Sequence, residues 1–258
     1  MKLLDIHSHI LPEVDDGAKS LDICMDMLSI AKEDDVNSII ATPHYYRGYY
    51  EKEYNEILQV IEKVNSTAEE KGINIKILPG QEIFLDKHTP KLYKEGIIGG
   101  LNNSKYILIE LLMGDFPKDA LDNIYELRLQ GAMPILAHPE RYRYIMEKPS
   151  LINEFGKEGC LFQINTGSIK GIFGKKVEKT AEILIKNGIC NFIASDAHST
   201  GNRCPGLYSS LELVKKLNEK VYNCFNKNCT LLLNNKDIEY EFEEIKEKRS
   251  FFSFFTKK

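Results

Sequence analysis

The chain has 258 residues, of which 43% are hydrophobic and 28% charged, and its formal net charge is -4. These values are ordinary for a globular protein that buries a core, and they argue against a disordered chain. The acidic balance also argues against a nucleic-acid-binding protein, because such proteins neutralise phosphates with lysine and arginine.

Seven short apolar runs have the length of β-strands and alternate with longer helical patterns. The runs cover residues 3–6, 38–41, 74–78, 106–111, 133–137, 161–165 and 191–194. Helical spacing of apolar residues is found over 54–64, after Pro117 and over 177–188, with Gly72, Gly131 and Gly188 as stop signals. Repetition of strand and helix requires crossover connections and parallel pairing, which predicts an α/β fold with a closed or nearly closed barrel.

The two ends of the chain carry separate signals. A charge and two histidines interrupt the apolar N-terminus, and no run approaches about 18 apolar residues, so we predict neither a signal peptide nor a membrane span. We predict one domain over residues 1–240 and a charged, Phe-rich tail over 241–258. Because exposed phenylalanines are a liability, the tail should pack on the barrel, contact another subunit of a homo-oligomer, or touch a membrane surface weakly through its basic residues.

The six cysteines are scattered along the chain without a C-x-x-C pair. This spacing predicts free thiols in a reducing compartment, and therefore a cytoplasmic location. No cysteine is followed six residues later by arginine. A phosphate-binding loop of the Cys-x5-Arg type is therefore excluded.

Histidines and carboxylates collect at the ends of the predicted strands. Eight such residues are His7, His9, His44, Glu82, Glu110, His138, Asp196 and His198. The C-terminal ends of parallel strands share one face of a barrel, so these side chains should converge. The i,i+2 spacing of the pairs His7/His9 and Asp196/His198 also points both members to the same side, which suits chelation. Imidazole and carboxylate without thiolate suit manganese, iron or zinc, whereas His88 follows no predicted strand and is assigned to the surface.

The same residues resemble a known family. The motifs are His7-Ser-His9, Thr42-Pro-His44, Glu82, His138 and Ser195-Asp196-Ala-His198, which resemble the polymerase-and-histidinol-phosphatase (PHP) superfamily. Residues 14–18 and 138–142 further resemble its subgroup of bacterial manganese-dependent tyrosine phosphatases found with capsule and exopolysaccharide synthesis. The likeness extends from about residue 3 to about residue 235.

The resemblance implies a distorted sevenfold (β/α) barrel that holds three divalent ions, with manganese as the expected metal. The implied ligands are His7, His9, Glu82 and Asp196 for the first ion, Glu82, Glu110 and His138 for the second, and Asp16, His44 and His198 for the third. Without the resemblance, residues 15–17 have the pattern of a turn before a helix capped at Ser20. Asp15 could also serve as the ligand in place of Asp16.

The implied reaction is hydrolysis of phosphotyrosine on a protein by metal-activated hydroxide. Arg141 and Arg203 are the candidate catalytic side chains, because each follows a ligand motif and a guanidinium can hold two phosphate oxygens. The implied substrate is the tyrosine-rich tail of a bacterial tyrosine kinase that controls polysaccharide export.

Two other functions fit the same ligands. One is a PHP phosphatase of a small molecule such as histidinol phosphate, and the other is a noncatalytic metal-binding module that docks a kinase. The aromatic loop over residues 45–50 is also open to two interpretations. It either flanks a phosphotyrosine ring or covers the start of the following helix.

Overall fold

The structure, a computed structural model, describes residues 3–240 and 242–246. Within these residues the strands are β1 (Leu3–Ser8), β2 (Val36–Ala41), β3 (His44–Tyr45), β4 (Lys76–Pro79), β5 (Glu82–Phe84), β6 (Tyr106–Glu110), β7 (Met133–Ala137), β8 (Leu161–Asn165) and β9 (Phe192–Ala194). All the strand pairs are parallel. The chain is therefore an α/β protein built on parallel sheets, as predicted.

The α-helices of the described residues lie between these strands and after the last of them. They are α1 (Leu21–Glu33), α2 (Tyr54–Glu70), α3 (Thr89–Lys94), α4 (Ala120–Leu129), α5 (Arg143–Glu147), α6 (Ile152–Lys157), α7 (Thr166–Ile169), α8 (Lys175–Lys186), α9 (Tyr208–Leu217) and α10 (Glu219–Leu233). Short 3-10 turns cover Leu101–Asn103, Pro139–Arg141 and Pro149–Leu151. No helix in the described ranges is long and apolar enough to cross a membrane.

The strands form two sheets. Their orders are β1-β2-β4 in the smaller sheet and β3-β5-β6-β7-β8-β9 in the larger. Ser8 forms a parallel bridge with Ala197, just beyond β9, and the His9 amide donates to the Ala197 carbonyl at 2.8 Å. Strands β1 and β9, the first and the last of the described residues, are therefore neighbours.

All seven predicted runs form strands, but the prediction of seven strands was incomplete because two runs are followed by a second short strand. Pro43 lies between β2 and β3, and it has no N–H to continue the strand pairing. Gly80 lies between β4 and β5, and a Cβ there would lie 2.7 Å from Ile40 Cγ2 and 2.8 Å from Leu101 Cδ2. The neighbouring side chains therefore leave no room for a side chain at this position, which favours glycine.

The predicted helices are confirmed, and their bounds have local causes. The Ser20 hydroxyl caps α1 by accepting from the Ile23 amide at 3.2 Å. In α2, Ile57, Ile61 and Val64 are buried at helical spacing. Gly72 follows this helix with φ at 69°, a left-handed conformation that glycine adopts without a steric cost.

The chain after α10 returns to the outer side of β8 and α6. Tyr240, Phe242 and Ile245 are partly buried against the core. Asn153 of α6 exchanges two hydrogen bonds with the Ile245 backbone, at 3.0 and 3.1 Å. The first described residues of the predicted tail are therefore packed, while residue 241 and residues 247–258, including the four C-terminal phenylalanines, lie outside the described residues.

Candidate metal centre

The structure brings the nine predicted ligands together. His7 lies in β1 with His9 just after it, Asp16 precedes α1, His44 begins β3, Glu82 begins β5, Glu110 ends β6, His138 follows β7, and Asp196 and His198 follow β9. The expectation that His44 and Glu82 lie just past a strand was wrong in detail. Each begins a short strand of its own, and these two strands pair in parallel with His44 opposite Glu82.

Glu82 lies at the middle of these side chains and is buried. Its Oε2 is 3.3 Å from His7 Nε2, 3.2 Å from His9 Nε2 and 3.2 Å from His44 Nδ1. Its Oε1 is 2.9 Å from His138 Nε2. One carboxylate therefore faces four imidazoles that come from three separate parts of the chain: the end of β1, the start of β3 and the residue after β7.

Two other carboxylates extend the cluster on either side of Glu82. Asp196 Oδ1 lies 3.5 Å from Nε2 of both His7 and His9. Glu110 Oε1 lies 3.5 Å from His138 Nε2. The side chains expected to hold the first and the second ion therefore converge.

Asp15 and Asp16 have different surroundings, which bears on the choice between them. Asp16 Oδ1 lies 3.4 Å from His198 Nε2 and 3.6 Å from His44 Nε2. The Asp15 side chain instead accepts from His9 Nδ1 at 2.6 Å and from the His44 amide at 2.9 Å. Asp16 therefore faces the histidines expected for the third ion. Asp15 instead accepts hydrogen bonds from two ligand residues, His9 and His44.

Three histidines are oriented as metal ligands usually are. The outer nitrogen of His7 faces Gln163 Oε1 at 2.9 Å, that of His9 faces Asp15, and that of His198 faces the Asp196 carbonyl at 3.0 Å. A ring nitrogen that donates outward leaves Nε2 with a lone pair for a metal. In three groups the nitrogens and carboxylate oxygens all lie within 4.8 Å of one another: His9, Asp16, His44 and His198; His7, His9 and Glu82; and His44, Glu82 and Glu110. The donor set and its orientation fit divalent cations.

The electrostatics of the cluster point to the same class of ligand. Burial and the neighbouring charge of Glu82 raise the pKa of Glu110 to about 9. Burial and the positive charge of Arg141 lower the pKa of His138 to about 4, so this imidazole is neutral at pH 7. Burial alone would raise the pKa of Asp196, but positive charges that include His7 and Arg203 outweigh it and lower this pKa. Carboxylates this close together are stabilised by added positive charge, which bound divalent cations supply.

Strand β8 supplies no predicted ligand but contributes two amide side chains that the sequence analysis missed. Gln163 Nε2 donates to Asn165 Oδ1 at 2.8 Å, and Asn165 Nδ2 donates to Asp196 Oδ2 at 2.6 Å. Because Gln163 also faces His7 Nδ1, a continuous amide chain joins His7 to Asp196. The signal in the sequence is the i,i+2 spacing of two polar residues within an apolar strand, as in the pair His7 and His9.

Both predicted arginines lie at the cluster. Arg141 Nη1 donates to Asp196 Oδ2 at 2.9 Å, and Arg203 Nη2 forms an ion pair with the same oxygen at 2.8 Å. Phe173 was not predicted, and its ring centre lies 4.7 Å from Arg141 Cζ and 5.8 Å from Arg203 Cζ. A guanidinium has five N–H donors, so each arginine keeps donors beyond its bond to Asp196.

The remaining predicted features stand apart from this cluster. His88 is partly exposed in the turn before α3 and belongs to none of the three ligand groups. All six cysteines are free, as predicted. Burial raises the pKa of Cys24 and of Cys160 to about 12, which keeps both as unreactive thiols.

Fold and site together define the class of protein: an α/β protein built on parallel sheets, with a cluster of histidines and carboxylates that could hold metal ions. Residues 3–234 match the capsular polysaccharide synthesis family CpsB/CapC, and the chain belongs to this family.

Comparison with known proteins gives relatives over nearly the whole chain. Tyrosine-protein phosphatase YwqE of Bacillus subtilis is 34% identical over 254 residues, which cover 98% of this chain and 100% of YwqE. A crystal structure from a study of YwqE and of Streptococcus pneumoniae CpsB, described as unique metal-dependent tyrosine phosphatases, matches with a TM-score of 0.90 over 95% of this chain and all of that chain. Histidinol phosphate phosphatase of Lactococcus lactis matches with a TM-score of 0.52 at 16% identity, covering 85% of this chain and 94% of its own, which shows a shared fold alone.

Proposed function

We propose that this protein is a metal-dependent protein-tyrosine phosphatase that hydrolyses phosphotyrosine on a protein substrate. The observation that carries the proposal is the joint position of Arg141 and Arg203 on Asp196, at the edge of a buried cluster of imidazoles and carboxylates. The tyrosine phosphatase relatives support it, because they match along nearly the full chain.

The proposed centre holds three divalent ions, manganese being the expected metal. His7, His9, Glu82 and Asp196 would hold the first ion, Glu82, Glu110 and His138 the second, and Asp16, His44 and His198 the third. When bound, such ions activate water and neutralise negative charge on phosphoryl oxygens. The histidine orientations and the absence of thiolate from the ligand groups support this assignment.

The arginines have a binding role in this proposal. Arg141 and Arg203 would hold the nonbridging phosphate oxygens through the donors that Asp196 does not use. Asp196 fixes the position of both guanidinium groups, because they share its Oδ2. Charge-assisted contacts prepared in this way stabilise the negative charge of the phosphoryl group during transfer to water.

We further propose that the two sheets act as one distorted sevenfold barrel that carries the site at one end, within a single domain over residues 1–240. If β2 and β3 are counted as one interrupted strand, and β4 and β5 as another, the barrel has seven strands. The Ser8–Ala197 bridge and the hydrogen bond from the Glu82 amide to the Pro43 carbonyl, at 3.1 Å, support continuity at both junctions.

The proposed setting is the cytoplasm, with the tyrosine-rich tail of a bacterial tyrosine kinase as substrate. Membership of a capsular polysaccharide synthesis family supports a substrate from that system. The Phe-rich tail would pack on the barrel, contact a second subunit or touch a membrane surface. Liposome sedimentation and the oligomeric state of the full chain, compared with a chain ending at Lys246, distinguish these three roles, since packing on the barrel changes neither measurement.

The central experiment measures phosphate release from phosphotyrosine peptides and from histidinol phosphate, with manganese and with a chelator. We expect manganese-dependent turnover of the peptides at a higher kcat/KM than that of histidinol phosphate. Preference for histidinol phosphate would identify a small-molecule phosphatase instead. Peptide binding without hydrolysis of any phosphomonoester would identify a noncatalytic docking module.

A further inference from the structure

The loop after β3 forms a closed aromatic hairpin, defined as residues Tyr46 to Tyr50. The Tyr46 amide donates to the Tyr50 carbonyl at 2.7 Å, and the Tyr50 amide donates to the Tyr46 carbonyl at 2.8 Å. Gly48 at its tip has φ at 82°, which permits the tight reversal. Arg47 at the tip is tied to Asp86 by a 3.0 Å ion pair, so the hairpin is held at its base and at its tip.

Three rings of this region are stacked in one column. The ring of Tyr46 lies between Phe84 of β5 and Tyr49, with centroid distances of 4.1 and 4.5 Å and interplanar angles of 21° and 27°. The outer ring, Tyr49, is 72% exposed. A large aromatic side chain is thus fixed by its neighbours and yet open to solvent, so contact with a ligand costs it little conformational entropy.

The hairpin is continuous with the candidate metal centre. Tyr50 stacks on His44 at a centroid distance of 5.9 Å and an angle of 17°. Phe84, at the base of the column, belongs to the same short strand as Glu82. The stack of three rings therefore begins on β5, the strand that carries Glu82. This position favours a role at the site over a role in covering the start of α2.

We infer that the aromatic hairpin is the surface that receives the tyrosine ring and the adjoining peptide of the substrate. This inference rests on the proposed phosphotyrosine phosphatase function. A phosphate held at the centre carries its aryl group outward, and the hairpin, whose Tyr50 stacks on His44, offers the exposed Tyr49 ring for offset stacking with that aryl group. Tyr46 is covered by Phe84 and Tyr49, so the exposed Tyr49 ring is the part of the stack that a substrate can contact.

The test compares Tyr49→Ala and Tyr46→Leu with the unaltered protein, using Tyr125→Ala as the matched control. Tyr125 is an exposed tyrosine on α4, 53% accessible, and has no place in the hairpin. We expect KM for a phosphotyrosine peptide to rise by about threefold to tenfold in both hairpin variants. The inhibition constant for inorganic phosphate and the metal content should stay unchanged, because phosphate reaches only the centre.

The outcomes distinguish a failure of the inference from a failure of the proposed phosphatase function on which it rests. An unchanged KM in both hairpin variants overturns the inference. A parallel rise of KM and of the phosphate inhibition constant also overturns it, since that result indicates a disturbed centre. If the unaltered protein hydrolyses no phosphotyrosine peptide, the proposed function itself fails.

Discussion

Glu82 has more ligand-type neighbours than a single ion pair requires, since its two oxygens face four histidines. Glu82→Gln keeps the shape of this side chain and removes its charge. We expect this variant to lose turnover and most of its bound metal, because it weakens two ion sites at once. Elemental analysis of the purified protein measures the metal, and His88→Ala is the control that should keep it. A fully active Glu82→Gln protein with little metal would refute the proposed centre.

A substitution at Gln163 tests whether the orientation of His7 affects metal affinity, because Gln163 is not itself a proposed ligand. Its Oε1 faces His7 Nδ1 at 2.9 Å, so Gln163→Leu removes the group that fixes the tautomer of this imidazole. Loss of such an outer partner typically lowers metal affinity by about tenfold to a hundredfold. Titration calorimetry with manganese measures the change, and Gln59→Leu, on the exposed side of α2, is the matched control. Equal affinities in the two variants would show that the amide chain has no role in binding.

Arg141 and Arg203 are expected to serve the substrate and not the ions. Arg141→Ala and Arg203→Ala should each keep the metal content and lower kcat/KM on a phosphotyrosine peptide by roughly tenfold to a hundredfold, the usual range for a lost charge-assisted hydrogen bond. Arg143→Ala is the control, because Arg143 is exposed and pairs with Asp115. Unchanged kinetics in both variants would exclude them from phosphate binding.

At the scale of the elements, the C-terminal segment depends on a close contact with α6. A Cβ added at Gly156 would overlap the ring of Phe242, so Gly156→Ala should displace this segment. We expect a loss of about 1–3 kcal/mol in the free energy of unfolding, the usual range for overpacking. Denaturant titration measures it, and the loss should shrink when Phe242→Ala removes the overlapping ring. Equal losses in both backgrounds would place the strain elsewhere.

The elements that sequence patterns predicted best are those set by local chemistry. Apolar runs and the Ser20 cap depend on neighbours within a few positions, so all seven predicted strands were found, together with helices α2, α4 and α8 and the start of α1. Helices α9 and α10 were not predicted. The short strands β3 and β5 escaped detection. They are defined by pairing with distant segments, β3 with β5 and β5 with β6, a tertiary cause that no local pattern contains.

The candidate centre was also predicted in part: its ligands were found, and three supporting residues were missed. Its nine proposed ligands follow from their place at strand ends and from the family resemblance, and the structure brings these side chains together. Gln163, Asn165 and Phe173 were missed, since their importance depends on which side chains from other parts of the chain face them in the folded protein. An amide in a strand has many possible partners, and only the fold selects His7 and Asp196.

At the scale of the whole molecule, metal binding and stability should be coupled. Ions that bind only the folded chain stabilise it by about 2.7 kcal/mol when free metal is about 100 times Kd. We therefore expect manganese to raise Tm by several degrees over the chelator-treated protein. Differential scanning calorimetry measures the shift, and Glu82→Gln should show little of it. A Tm that is indifferent to manganese in the unaltered protein would contradict the coupling.

The bridge between Ser8 and Ala197 has a consequence for the order of events during synthesis. Its neighbouring hydrogen bond, from the Ser195 amide to Asp5 at 3.0 Å, joins residues that are 190 positions apart. The N-terminal histidines thus leave the ribosome long before Asp196 exists, and pairing over such a separation is slow. The proposed centre is complete only after the last strand has docked against the first. Ion uptake is therefore a late step in maturation, and a chain stalled before residue 196 would not assemble the site for the first ion.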